Sequence, residues 1–252
     1  MGSFLNVLII RLPEGKSILG FSKCLKCGAK IDWSDNIPIL SFLILKGRCR
    51  DCRAKISWQY PLVELLTAFL FLFSFLIYGG NPILLVFILF LISLFITIAF
   101  MDLNRFLIPD KLIFVGFFVS LIYFSVSAFI SGPPDCRIIS CSFKNSIFGL
   151  LFFAGILLSL FFITKGKGMG LGDVNLAGLL GFIFGLKNAV MIFYLAFFIG
   201  FIIAIILLAF KKVGLKSKVP LGSIMAAAGI LLLLGFNLFD FMGIELVSRL
   251  YE

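Results

Sequence analysis

Two aspartates stand where an apolar chain has little reason to keep them. Asp102 closes an apolar run that extends from Pro82 to Met101. Asp173 follows Gly168-Met169-Gly170-Leu171-Gly172 and opens another. An ionisable group at membrane depth is expensive, so each is a candidate functional residue on that ground alone. Two carboxylates at matching depth suit shared-proton hydrolysis: one takes a proton from water while the other donates to a carbonyl. The chain contains no His. That excludes Ser-His-Asp and Cys-His hydrolysis, and a His-ligated catalytic zinc.

Each aspartate also has a plainer reading. If a helix ends near Asp102, the carboxylate faces the negative end of the helix dipole, where packing alone would favour Lys or Arg. The structural alternative is an interfacial side chain reaching water or pairing with Arg105. Asp110 follows Pro109 and precedes an apolar run, an ordinary N-capping position, and is held in reserve for a catalytic role. Gly-Leu-Gly-Asp at 170–173 could be a simple helix cap, although glycines also let backbone or substrate come close. A place at a helix N-terminus makes Asp173 the expected initial base and leaves the shared proton on Asp102.

The elements that must position these groups are membrane helices. The 252 residues are 62% hydrophobic with 33 Phe, and the mean hydropathy is +1.18, beyond the range of soluble domains. A span needs about 20 apolar residues. The sequence predicts spans at about 61–78, 82–101, 112–131, 145–164, 189–210 and 221–239, with a shorter, glycine-interrupted one at 173–186. Met1 to Ile10 is too short to cross alone. It lacks the basic start and the small-residue cleavage site of a signal peptide, so it reads as a partial first membrane helix. The expected fold class is an all-α polytopic membrane protein: a bundle of about seven to eight transmembrane helices with a small cytoplasmic four-cysteine zinc module. The expected divisions are 1–10 for the partial helix, 11–60 for the zinc-binding domain and 61–252 for the transmembrane domain that carries the two aspartates.

The net charge of +10 fits the positive-inside rule, not a nucleic-acid partner. With residues 11–60 on the cytoplasmic side, alternation places 18 of the 22 Lys and Arg there. Asp102, Asp110 and Asp173 then share the cytoplasmic face. Paired membrane aspartates also serve ion relays, which makes a transporter the second reading. That reading wants polar residues along the spans and inverted repeats with broken helices, whereas most spans here carry only Ser, Thr, Asn or Gly as polar residues.

Residues 11–60 form the longest polar segment. Cys24-Leu25-Lys26-Cys27 and Cys49-Arg50-Asp51-Cys52 are two C-x2-C pairs separated by 21 residues, the spacing of a tetrahedral four-cysteine zinc site. Four thiolates leave no position open for water, so the role is structural. Gly28 and Gly47 are expected to supply the tight backbone. Two disulfides or free thiols are the alternative, and disulfides are disfavoured in the cytoplasm. Cys136 and Cys141 lie in an outward loop, where a local disulfide is expected and free thiols are the alternative.

The chain resembles the bacterial type IV prepilin peptidases, which also process type II secretion pseudopilins. The likeness runs through Gly2-Ser3-Phe4-Leu5-Asn6-Val7, Arg11-Leu12-Pro13, both C-x2-C pairs with Asn36-Ile37-Pro38 between them, and Tyr60-Pro61-Leu62-Val63-Glu64. It continues through Asp102 to Pro109-Asp110 and Gly168 to Asp173. It implies a G-x-G-D aspartic protease with Asp102 and Asp173 as the catalytic pair. The implied fold has about eight helices, and the implied location is the cell inner membrane with the site at its cytoplasmic face. The implied partners are prepilin or pseudopilin substrates and the lipid bilayer. It further implies S-adenosylmethionine-dependent methylation of the new N-terminus, with which, or with stability, the cysteine domain is associated. No G-x-G-x-x-G fingerprint supports that second activity, and the sequence assigns no oligomeric state. Most members carry a longer first helix, and the loop around Cys136 is longer than usual.

Overall fold

The computed structural model describes residues 1–24, 26–32, 35, 37–130, 139–140, 142–166, 169–209 and 220–235. Cys136, Cys141, Asn36 and Gly168 lie outside the described residues, as does the end of the last expected span. Among the described residues the protein is all-α. The helices are α1 (Gly2–Arg11), α2 (Leu40–Ile44), α3 (Gln59–Tyr78), α4 (Pro82–Arg105), α5 (Asp110–Ile130), α6 (Phe143–Ile163), α7 (Leu171–Ala209) and α8 (Leu221–Leu233). Five of them, α3 to α7, are long and apolar enough to cross a bilayer. The protein is therefore a multi-pass membrane protein.

Several hydroxyls inside the spans have local partners, although the buried Ser146 Oγ in α6 has none. Thr67 donates to the Val63 carbonyl at 2.6 Å, Ser74 to Leu70 at 2.8 Å, Thr97 to Ser93 at 2.7 Å and Ser120 to Gly116 at 2.7 Å. Such bonds to the preceding turn are how Ser and Thr are satisfied in lipid. They explain the polar residues that a transporter would need for its cargo.

The chain divides into two compact units, Met1–Met101 and a second that begins at Asp102. In the first, α1 packs on α3. Arg11, the last residue of α1, donates to the Ser17 carbonyl at 3.3 Å and the Phe21 carbonyl at 3.0 Å, and so ties down the loop that leads to the cysteines.

In the second unit α7 packs against α5, α6 and α8. The α6 and α7 backbones touch at Gly149 and Gly181, where a side chain on either would strike the other's carbonyl. Close approach through small residues is a common way for membrane helices to associate. The two expected spans at 173–186 and 189–210 are the two helical segments of α7, which are separated by a non-helical break at Gly185 (φ 73°). The break frees main-chain groups, and Asn145 of α6 meets one of them: its Oδ1 accepts the Leu186 N–H at 3.2 Å. Phe182 beside the break collects the rings of Phe117, Phe124 and Phe143.

Candidate functional site

Asp102 lies in the last turn of α4, which continues to Arg105, and is 4% exposed. Its position at a helix C-terminus is unfavourable for an anion. The fold answers this with another helix. The N–H of Ser223, in the first turn of α8, donates to Asp102 Oδ2 at 2.7 Å. First-turn N–H groups have no partner within their own helix, and the Ser223 hydroxyl is already committed to the Pro220 carbonyl at 2.7 Å. Asp102 therefore caps α8 from a distant part of the chain.

Asp173 is the third residue of α7. Its Oδ2 accepts the Gly170 N–H at 3.0 Å, and its own N–H donates to the Gly170 carbonyl at 3.2 Å. The first bond is one half of a capping box, the third helical residue accepting from the N-cap N–H; Gly170 has no side chain to return it. The cap reading of the Gly-Leu-Gly-Asp string is thus correct for one oxygen. The other oxygen faces elsewhere.

The two carboxylates meet at Gly222. A β-carbon placed there would lie 3.1 Å from Asp102 Oδ2, 3.1 Å from Asp173 Oδ1 and 2.5 Å from Ile108 Cδ1. The two oxygens are therefore separated by no more than twice 3.1 Å. Only glycine leaves this space open. Ile108 also presses on Gly172, whose added β-carbon would be 3.0 Å from the Ile108 Cβ. Gly172 thus admits the 106–109 loop, the close backbone approach that glycine allows. Both carboxylates thus meet helix N-termini.

Asp110 has a different partner. It opens α5, is exposed, and its Oδ1 accepts from Asn175 Nδ2 at 3.0 Å. Sequence reasoning missed Gly222, Ser223 and Ile108. The one signal for them is Pro220-Leu221-Gly222-Ser223 before an apolar run, which reads as an ordinary helix start.

The four cysteines of the first unit form a separate cluster. The Sγ atoms of Cys24, Cys27, Cys49 and Cys52 all lie within 4.8 Å of one another, and those of Cys24 and Cys52 are 3.8 Å apart. Zinc–sulfur bonds of about 2.3 Å in a tetrahedron put sulfurs about 3.8 Å apart, so the donor set fits zinc. The two knuckles repeat each other. Cys24 N–H donates to Ala29 and Gly28 N–H to Cys24, both at 2.9 Å; Cys49 N–H donates to Ala54 at 2.8 Å and Arg53 N–H to Cys49 at 3.1 Å. The left-handed residue after each pair is Gly28 (φ 73°) and Arg53 (φ 58°). Gly47 serves instead in the turn before the second knuckle. Main-chain N–H groups of Cys27 and Lys26 lower the Cys24 thiol to about 6. The Ala29 N–H pulls Cys27 down, but its neighbouring sulfur Cys24 and desolvation push it up to about 11. A bound cation would resolve this crowding of thiolates.

Comparison with known proteins follows the same division. The Bacterial Peptidase A24 N-terminal domain matches residues 1–78, and the Type IV leader peptidase family matches residues 89–205. A prepilin leader peptidase/N-methyltransferase of Myxococcus xanthus is 37% identical over 182 residues, 72% of this chain and about half (52%) of that protein. Proteins of the same name from Pseudomonas aeruginosa and Bacillus subtilis are each 32% identical. The first alignment covers 93% of this chain and 86% of the relative, the second 92% and 88%. No solved structure matches.

Proposed function

Since the chain belongs to the type IV leader peptidase family, we propose that it is a membrane aspartic endopeptidase acting on type IV prepilins and type II secretion pseudopilins. It removes the leader peptide at the cytoplasmic face of the cell inner membrane and then N-methylates the new N-terminus. The observation that carries the peptidase reading is the convergence of Asp102 and Asp173 on Gly222.

In this mechanism the pair holds one proton. The ionised aspartate takes a proton from a water between them, and the protonated one donates to the scissile carbonyl. The resulting hydroxide adds to the carbonyl carbon. Collapse of the tetrahedral species expels the amine, which receives its proton from the pair. The Ser223 and Gly170 N–H groups fix one oxygen of each carboxylate, so the oxygens arrive oriented. Cys24, Cys27, Cys49 and Cys52 hold zinc as a structural ion, which ties the two knuckles together. S-adenosylmethionine supplies the methyl group for the second activity.

Cleavage of a model prepilin in liposomes tests the peptidase reading. Asp102→Ala and Asp173→Ala lose product while Asp110→Ala retains it. If Asp110→Ala is dead and Asp102→Ala survives, Asp102 is the wrong partner. If all three cleave like the parent, the peptidase reading falls.

A further inference from the structure

The first unit contains a cavity of about 840 Å³, bordered by α1, the start of α3 and the loops of the cysteine module. Pockets for small ligands occupy roughly 300–1,000 Å³, so this one has room for a cofactor and the end of a peptide. Two residues in its wall show what it would take. Asn6 is 1% exposed. Its Nδ2 donates to the Tyr60 carbonyl at 3.1 Å and the Gly2 carbonyl at 3.5 Å, which fixes the orientation of the amide. Its Oδ1 is buried with no hydrogen-bond partner. A buried acceptor without a donor is costly and calls for explanation.

Glu64 lines the same cavity. It is half-buried in the second turn of α3, and α1 presses on its backbone at Gly2, where an added β-carbon would lie 2.6 Å from the Glu64 Cα. The plain expectation for Glu64 is a Lys or Arg partner. Its Oε2 instead accepts the Ile39 N–H at 2.8 Å. A carboxylate in the cavity and an unpartnered carbonyl buried in its wall are complementary to a group that carries positive charge and several N–H donors. A primary amine has both. Farther along the wall, Lys23 and Lys26 of the cysteine module supply positive charge, which suits a ligand carboxylate.

We propose that this cavity is the amine-methylation site, in which Glu64 and Asn6 Oδ1 receive the α-amine of the freshly cleaved substrate. This rests on the N-methyltransferase reading above and assigns residues to it. The α-ammonium arrives without a lone pair. Glu64 takes one of its protons, and the neutral amine nitrogen becomes a nucleophile. Bound S-adenosylmethionine supplies a methyl carbon, which gains a bond to that nitrogen as its bond to sulfur breaks and the electron pair stays on sulfur, leaving S-adenosylhomocysteine. Asn6 Oδ1 accepts from a remaining amine N–H and orients the lone pair.

The test uses the full-length, zinc-loaded protein in lipid nanodiscs. Binding is measured for radiolabelled S-adenosylmethionine and for two synthetic peptides of a mature pilin N-terminus, one with a free amine and one N-acetylated. The expected result is a preference of about tenfold or more for the free amine, the size of one charge-assisted hydrogen bond. Glu64→Gln and Asn6→Leu abolish that preference, and both keep S-adenosylmethionine affinity and leader cleavage within about twofold of the parent. Preserved preference in both variants overturns the proposal. So does loss of S-adenosylmethionine affinity with the preference intact, which would assign the pair to the methyl donor. If the parent protein neither binds S-adenosylmethionine nor methylates, the N-methyltransferase reading itself fails and the proposal fails with it. Should Glu64→Gln lose its zinc, and so its fold, Glu64→Asp decides: a weakened but persistent preference supports the proposal, and parental preference overturns it.

Discussion

Asp102 and Asp173 are held by main-chain N–H groups at the first turns of α8 and α7, among helices whose cores are apolar. The cysteines are held by two short knuckles in a segment where most side chains are intermediate or exposed. The aspartate site needs no ligand to define it, because helix ends are rigid and their N–H groups require acceptors anyway. The cysteine module has little apolar burial of its own, so its geometry depends on what the four sulfurs bind. Preorganised hydrogen bonding is what catalysis at a carboxylate pair requires, whereas a metal staple suits a module that must only hold its shape.

The strongest way to break this contrast is to remove the metal. Structural zinc sites contribute about 10–16 kcal/mol to folding. Chelation, or Cys24→Ser with Cys49→Ser, is expected to abolish hydrogen-exchange protection between Lys23 and Lys55. Leader cleavage is expected to stay within about tenfold of the parent. Total loss of cleavage would show that the carboxylate site is not self-sufficient. Next in size is loss of either carboxylate. Asp102→Ala or Asp173→Ala should lower cleavage by about 10²–10⁴-fold, the usual contribution of a general acid or base, with zinc content unchanged by metal analysis. Gly222→Ala sharpens the comparison further. Its methyl group enters the space between the carboxylates and meets Ile108, so cleavage should fall by about 10²-fold while the melting transition moves little. A fully active Gly222→Ala would mean that the space between the oxygens is not used.

The smallest effect belongs to the surface of the cysteine module. Arg50 grips Asp35 with two hydrogen bonds, Nε to Oδ2 at 2.7 Å and Nη2 to Oδ1 at 2.5 Å. The Arg50 guanidinium holds the Asp35 carboxyl below its usual value of 3.8. A depressed carboxyl contributes stability that is complete above the unfolded value and is lost as pH falls through the folded one. Asp35→Asn should therefore flatten a small acid limb below about pH 4. Because the Arg50 side of the pair is exposed, added salt should reduce the difference. A large effect at neutral pH would mean that the module leans on ion pairs as much as on its metal.

Much of this was legible in the sequence because the functional groups are conspicuous against their background. A carboxylate in an apolar run has no packing reason to exist, and two C-x2-C pairs have few uses other than a metal. The spans followed from length and hydropathy. What stayed hidden depends on tertiary encounters. Ser223 matters through an ordinary backbone N–H, and no residue type advertises that. Gly222 and Ile108 matter because three segments meet there. Gly172 accommodates Ile108, a neighbour that the Gly-Leu-Gly-Asp string does not name. Arg53 takes the left-handed position that Gly28 occupies in the first knuckle, although the sequence offered Gly47 for that task. The break in α7 at Gly185, by contrast, falls where the expected 173–186 span ends.

The bond from Ser223 to Asp102 joins residues 121 positions apart. During synthesis at about 5–20 residues per second, Asp102 leaves the ribosome roughly 6 to 25 seconds before its partner exists. Throughout that interval the carboxylate has entered the membrane boundary without the N–H group that orients it. In the proposed mechanism the oriented pair therefore exists only once α8 has been made.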